Sequence, residues 1–172
     1  MTDEPPRNRL KDLLRADKTA PATVRDTEGE GVEARCEAFG YLRGLREMAS
    51  SVEFRFRDGN SIWFPYGLLG PWQYNPSEGL LLKFSGDLIY LVLIRGSNLD
   101  KPLSEGAINL TNAGLQRQRV LWVREMTDEE IERVGESGPT IDAIEVGAFA
   151  THEDRRQWLQ KRAPAFLQEG EV

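Results

Sequence analysis

The fold turns on Val52-Glu53-Phe54-Arg55-Phe56-Arg57-Asp58-Gly59-Asn60-Ser61-Ile62-Trp63-Phe64-Pro65-Tyr66. Val52, Phe54 and Phe56 alternate with Glu53, Arg55 and Arg57, the period of a strand with one buried and one wet face. Asp58-Gly59-Asn60 tolerates positive φ and predicts a hairpin turn. Residues 61–66 return as a second strand. Pro65 has no N–H to give a ladder, so this strand is an edge or bends there. Trp63 and Phe64 must point to opposite faces, one inward and the other outward or covered.

The pattern continues downstream. Gly70-Pro71 and Asn75-Pro76 bracket a loop that carries Trp72 and Tyr74. Residues 80–84 predict a third strand, Ser85-Gly86-Asp87 a turn, and residues 88–94 a fourth strand. The fourth is apolar on both faces, so it lies centrally with something covering each side. Residues 99–115 fit either a short irregular helix or a long loop. Residues 120–123 predict another strand, apolar on both faces and ended by Arg124-Glu125. Thr127-Asp128-Glu129-Glu130 is a capping box, and its helix stops near Gly135–Gly138. Residues 140–146 alternate as a further strand. Thr151 caps a last helix holding Trp158 and Leu159, kinked by Pro164 ahead of Phe166 and Leu167.

Upstream, Cys36, Phe39, Leu42, Leu45 and Met48 recur every third residue, which predicts an amphipathic helix over residues 34–49. Gly40 and Gly44 weaken that helix by roughly 1 kcal/mol each. Residues 17–33 are polar and bury too little to offset the entropy of ordering, so a flexible linker is expected. Before it, Leu10, Leu13 and Leu14 share one face of a short basic helix. This arm, residues 1–33, is either a docking peptide or a strap folded back on a single compact domain of residues 34–170.

Composition removes several functions. The 172 residues carry 22 basic and 28 acidic groups, net −6, which argues against a globally basic nucleic-acid or membrane-surface protein. One cysteine, Cys36, allows no intrachain disulfide and no thiolate zinc cluster. One histidine, His152, excludes any site built on two imidazoles. No phosphate-binding glycine loop is present, and no cofactor or metal site is implied. The longest apolar run, residues 88–94, is far short of the about 20 needed to span a membrane. A cytoplasmic protein without a membrane partner is the expectation.

Two constellations are candidates for binding. The first gathers Trp63, Tyr66, Trp72 and Tyr74 beside Arg55 and Arg57, rings that either stack on a partner or form the core of a small barrel. The second is Arg95-Gly96-Ser97-Asn98 after the fourth strand. Its plain reading is a turn, with Gly96 at positive φ, Asn98 bonding backbone, and Arg95 a solvated strand end.

The run Leu91-Val92-Leu93-Ile94-Arg95-Gly96-Ser97-Asn98-Leu99 resembles the second motif of Sm and Sm-like proteins. The resemblance covers at most residues 35–104. It implies a small bent five-stranded barrel behind a helix, and an arginine-glycine pair, here Arg95 and Gly96, that helps hold a nucleotide. The first motif of that family is not matched: Phe64-Pro65-Tyr66 and Trp72-Gln73-Tyr74-Asn75 stand in its place, without the residues that supply base contacts.

The expected architecture is therefore α+β: a bent antiparallel sheet, or small SH3/Sm-like barrel, with flanking helices. The expected function is a protein-interaction or assembly module without catalytic activity, whose partner is another protein or a second copy. An Sm-like RNA-binding protein is the first alternative and a carboxylate-dependent enzyme the second.

Overall fold

A computed structural model of the chain describes residues 33–103 and 107–167. The arm with Leu10, Leu13 and Leu14 lies outside them.

Among the described residues, nine strands divide between two sheets. The first holds β1 (Glu33–Arg35), β2 (Phe39–Leu42), β3 (Ser51–Arg55), β4 (Ser61–Pro65) and β8 (Val120–Arg124), in the order β1-β2-β8-β3-β4. The second holds β5 (Gln73–Asn75), β6 (Gly79–Ser85), β7 (Ile89–Ser97) and β9 (Thr140–Phe149), in the order β5-β6-β7-β9. All pairings are antiparallel except β3 with β8, which sets Phe54 beside Val123. The described strands close no barrel. The described residues also form two α-helices, α1 (Asp128–Val134) and α2 (His152–Arg162).

The hairpin of residues 51–65 forms as its alternation predicts, with Val52 opposite Phe64 and Glu53 opposite Trp63. Pro65 meets both expectations: β4 is an edge strand, and the chain bends after it into a 3-10 turn, Tyr66–Leu68. That turn carries the chain to the second sheet, where Leu69 bridges Phe84 and Gly70 N–H donates to the Lys83 carbonyl at 2.8 Å. The 70–76 segment contains strand β5, where a loop was expected. Its Gln73–Asn75 backbone finds partners on β6.

The sheets face each other across an aromatic seam. Phe64 stacks on Phe84 with centroids 4.4 Å apart, and Phe54 meets Phe84 edge-on at 6.3 Å. Leu80, Leu82, Val92 and Ile94 join this core from the second sheet. The alternate residues Leu81, Leu91 and Leu93 turn to a smaller core under α2, with Phe149, Leu159 and Phe166. Both faces of β7 are thus covered, which is why residues 88–94 read as an unbroken apolar run.

The helix expected over residues 34–49 is absent. A tight turn, closed by Cys36 N–H to the Phe39 carbonyl at 3.0 Å, joins β1 to β2 instead. Leu45 and Met48, on the supposed buried stripe, are 77% and 69% exposed. Two glycines leave little intrinsic helix preference, and pairing of β2 with β8 decides the conformation. Residues 111–115 form one π-helical turn, the irregular-helix alternative, with Leu110 and Leu115 buried against the main core. The capping box is present, with Glu130 N–H donating to Thr127 Oγ1. Pro164 opens a separate 3-10 turn after α2 has ended, so it does not kink that helix.

Candidate partner-binding face

The outer face of the first sheet follows from strand alternation. With Val52 and Phe54 inward, Glu53 and Arg55 must point outward, and β8 presents Trp122 and Arg124 on the same side. Register lines up one row across all five strands: Arg35, Gly40, Trp122, Glu53 and Trp63.

Most of this row is committed to its neighbours. Trp122 is only 6% exposed, because its indole lies over Gly40. A Cβ there would stand 2.2 Å from Trp122 Nε1, so the close approach requires glycine. The indole N–H donates to Glu33 Oε1 at 2.8 Å. Arg55 caps the other side, its guanidinium carbon 4.5 Å from the indole centroid, and pairs with Glu53 at 2.8 Å. The hydrogen bond from Arg55 holds the Glu53 carboxyl below the usual range.

Beside this row runs a second layer of charge. Arg124 pairs with Glu130 at 2.9 Å and Glu37 at 3.1 Å, and Arg133 joins Glu37 at 3.0 Å. The bond from Arg124, with the Thr127 N–H, lowers the Glu130 carboxyl to about 2. An open cleft of about 700 Å³ lies among Arg35, Cys36, Glu37, Trp122, Arg124 and Glu130. Burial pushes the Cys36 thiol up, so it is a poor nucleophile there. Two members of the face stay uncommitted. Trp63 is 59% exposed, and Arg35 has no ion pair among the described residues.

The other aromatic and cationic candidates sit elsewhere. Tyr66 is buried, donating to the Val120 carbonyl at 2.7 Å, and burial raises its phenol. Trp72 and Tyr74 pack partly against the main core. Tyr74 donates to Asp100 Oδ1 at 3.1 Å, and its phenol is raised by burial first and by Asp100 second. Arg57 points to the α1 end of the fold, with Nη2 on Asp128 at 3.2 Å and on the Asp142 carbonyl. Only Trp63 and Arg55 of that constellation share the outer face.

Arg95 is on the far sheet and is no solvated strand end. It pairs with Glu78 at 3.2 Å and Glu145 at 3.7 Å and donates to the Arg162 carbonyl at the end of α2. Gly96 is not at positive φ; the left-handed residue is Asn98, at φ 59°. Gly96 sits in a bulge against β9, where a Cβ would meet the Thr140 carbonyl oxygen at 1.9 Å. Asn98 bonds backbone as expected, donating to the Gly138 carbonyl at 3.1 Å. His152 is exposed, in the first turn of α2.

Trp122, Arg124 and Arg35 were missed as members of a face. The signal was present: Trp122 and Arg124 are spaced by two, so a strand must put them together. Reading residues 120–123 as apolar on both faces hid it.

No family model, curated protein or solved structure matches this chain. Among the described residues no helix is long and apolar enough to cross a membrane, and no three potential metal ligands cluster.

Proposed function

We propose that the protein is a binding module, without catalytic chemistry of its own, whose contact surface is the outer face of the first sheet. The observation that carries this reading is Trp63: a large ring, 59% exposed, at the end of a row that no helix of the described residues covers. A tryptophan loses little rotamer freedom on contact and brings a large apolar area, so it suits an interface anchor. Arg35 at the opposite end of the row adds a cation open to a partner carboxylate. The preferred partner is another protein segment offering an apolar side chain to Trp63 and an acid to Arg35.

Affinity capture with the wild-type chain and with Trp63→Ala/Arg35→Glu, followed by purified rebinding, tests this. A partner that binds wild type directly and loses at least about tenfold in affinity with the variant supports the reading. Equal binding by both chains overturns it. Sedimentation of the same two chains tells self-association from a second protein.

The RNA alternative has less support. Arg55, Arg57 and Arg95 are each engaged with carboxylates on this chain, and an RNA phosphate would have to displace them. The carboxylate-enzyme alternative has less still, since Glu37 and Glu130, the acids of the cleft, are both held by Arg124.

A further inference from the structure

The second sheet carries a separate cationic recess where it meets α2. Alternation on β6 sends Leu80, Leu82 and Phe84 to the main core, so Leu81 and Lys83 face α2. His152, Arg155 and Arg156 lie at i, i+3 and i+4 of α2, on one side of that helix. Together with Lys83 they line a cavity of about 380 Å³. Its one acid, Glu153, accepts from Gln157 Nε2 at 3.1 Å. Lys83 and Arg156 are both half-buried and make no ion pair among the described residues.

This differs from the paired arginines elsewhere in the molecule. Arg55, Arg57, Arg95, Arg124 and Arg133 all find carboxylates within a chain whose net charge is −6. Here two half-buried cations, Lys83 of β6 and Arg156 of α2, line one cavity and make no ion pair among the described residues. Partial burial removes water from each charge and mutual repulsion adds to the cost, so an anion bound among them is favoured.

A second cavity, of about 240 Å³, adjoins the first and shares Lys83 and Arg155 with it. Its walls combine apolar side chains, Leu81, Leu91, Leu159 and Phe166, with the polar Gln73, Lys83 and Arg155. This slot is smaller than the roughly 300–1,000 Å³ usual for small-molecule sites, which limits it to a short apolar group. We infer that the recess binds a small organic oxyanion, a carboxylate or phosphate monoester, with its charge between Lys83 and Arg156 and a short apolar tail in the slot beside Leu159. This site is distinct from the Trp63 face and stands or falls separately.

Calorimetric titration of the full chain with octanoate and with octyl phosphate tests it, using octanol and acetate as probes lacking the charge or the tail. Thermal melting first confirms that Lys83→Gln/Arg156→Gln folds as the wild type does. Saturable one-to-one binding of either amphiphile, weakened about tenfold or more in the double variant and with octanol or acetate, is the expected result. The tighter of the two amphiphiles then identifies the oxyanion. No saturable binding of either, unchanged affinity in the variant, or octanol binding as tightly as octanoate overturns the assignment.

Discussion

Trp122 lies across Gly40 so closely that the indole Nε1 occupies the space a side chain on Gly40 would need. One strand lacks a side chain so that its neighbour's ring can lie flat, with Arg55 stacked above it. Gly40→Ala forces the ring off this position and disturbs its bond to Glu33. The expected loss is about 1–3 kcal/mol, the range for overpacking a tight site. Urea denaturation followed by tryptophan fluorescence checks it, with a changed native emission as the companion sign.

Glu125 ties the two sheets where the chain crosses between them. Its Oε2 accepts from Arg57 N–H at 2.7 Å and its Oε1 from Ile144 N–H at 2.8 Å. Glu125→Ala leaves both backbone donors without this acceptor and should cost roughly 1–3 kcal/mol. Amide exchange at Arg57 and Ile144 should speed up more than exchange in the β6–β7 hairpin. Unchanged protection at both amides would refute the clamp.

Arg95 is expected to behave as a structural residue. It holds Glu78 and Glu145 and donates to the Arg162 carbonyl at the end of α2. Arg95→Ala should lower stability by about 1–3 kcal/mol, with faster exchange across α2. A purely nucleotide-binding arginine would leave both quantities as they are.

Glu130 gives a pH signature with a defined sign. Its folded value of about 2 lies below the ordinary 4.5, so the ion pair with Arg124 favours the native state fully above about pH 4.5. That contribution is lost as pH falls from there toward 2. The stability gap between wild type and Glu130→Gln should therefore be widest near neutrality and shrink through that window. Urea midpoints at pH 7, 4 and 2.5 measure it, and a gap independent of pH refutes it.

Trp63→Ala should leave the unfolding free energy nearly unchanged, within about 0.5 kcal/mol, because the ring is exposed. A larger loss in a denaturation curve would assign Trp63 to the framework and remove the main support for a contact face.

Legibility in the sequence tracks how local the deciding interaction is. The 51–65 hairpin, the Thr127 capping box and the Thr151 cap are written in adjacent residues, and each was readable. Covering of β7 on both faces was equally plain from its apolar run. The segment at 34–49 failed because its strand character comes from β8, far along the chain. Its three-residue stripe mimicked a helix, while the informative residue was Gly40, whose role depends on a tryptophan no local rule can place beside it. Arg95 failed likewise: Glu78, which engages it, comes from the turn between β5 and β6, and Glu145 from β9. Of the face, Arg55 was legible by alternation; alternation split Trp63 from Phe64 without saying which points outward, and setting Trp122 beside Glu53 needed the parallel pairing of β3 with β8.

That pairing has a consequence for how the molecule is made. β8 joins the first sheet between β2 and β3, both of which precede the whole β5–β7 region in the chain. During synthesis β2 and β3 must therefore wait with open edges until β8 emerges, while the β6–β7 hairpin assembles from neighbours. Non-local pairing of this kind slows assembly and leaves apolar side chains of β3 such as Val52 and Phe54 uncovered for longer, the period when nascent chains are most prone to stick together.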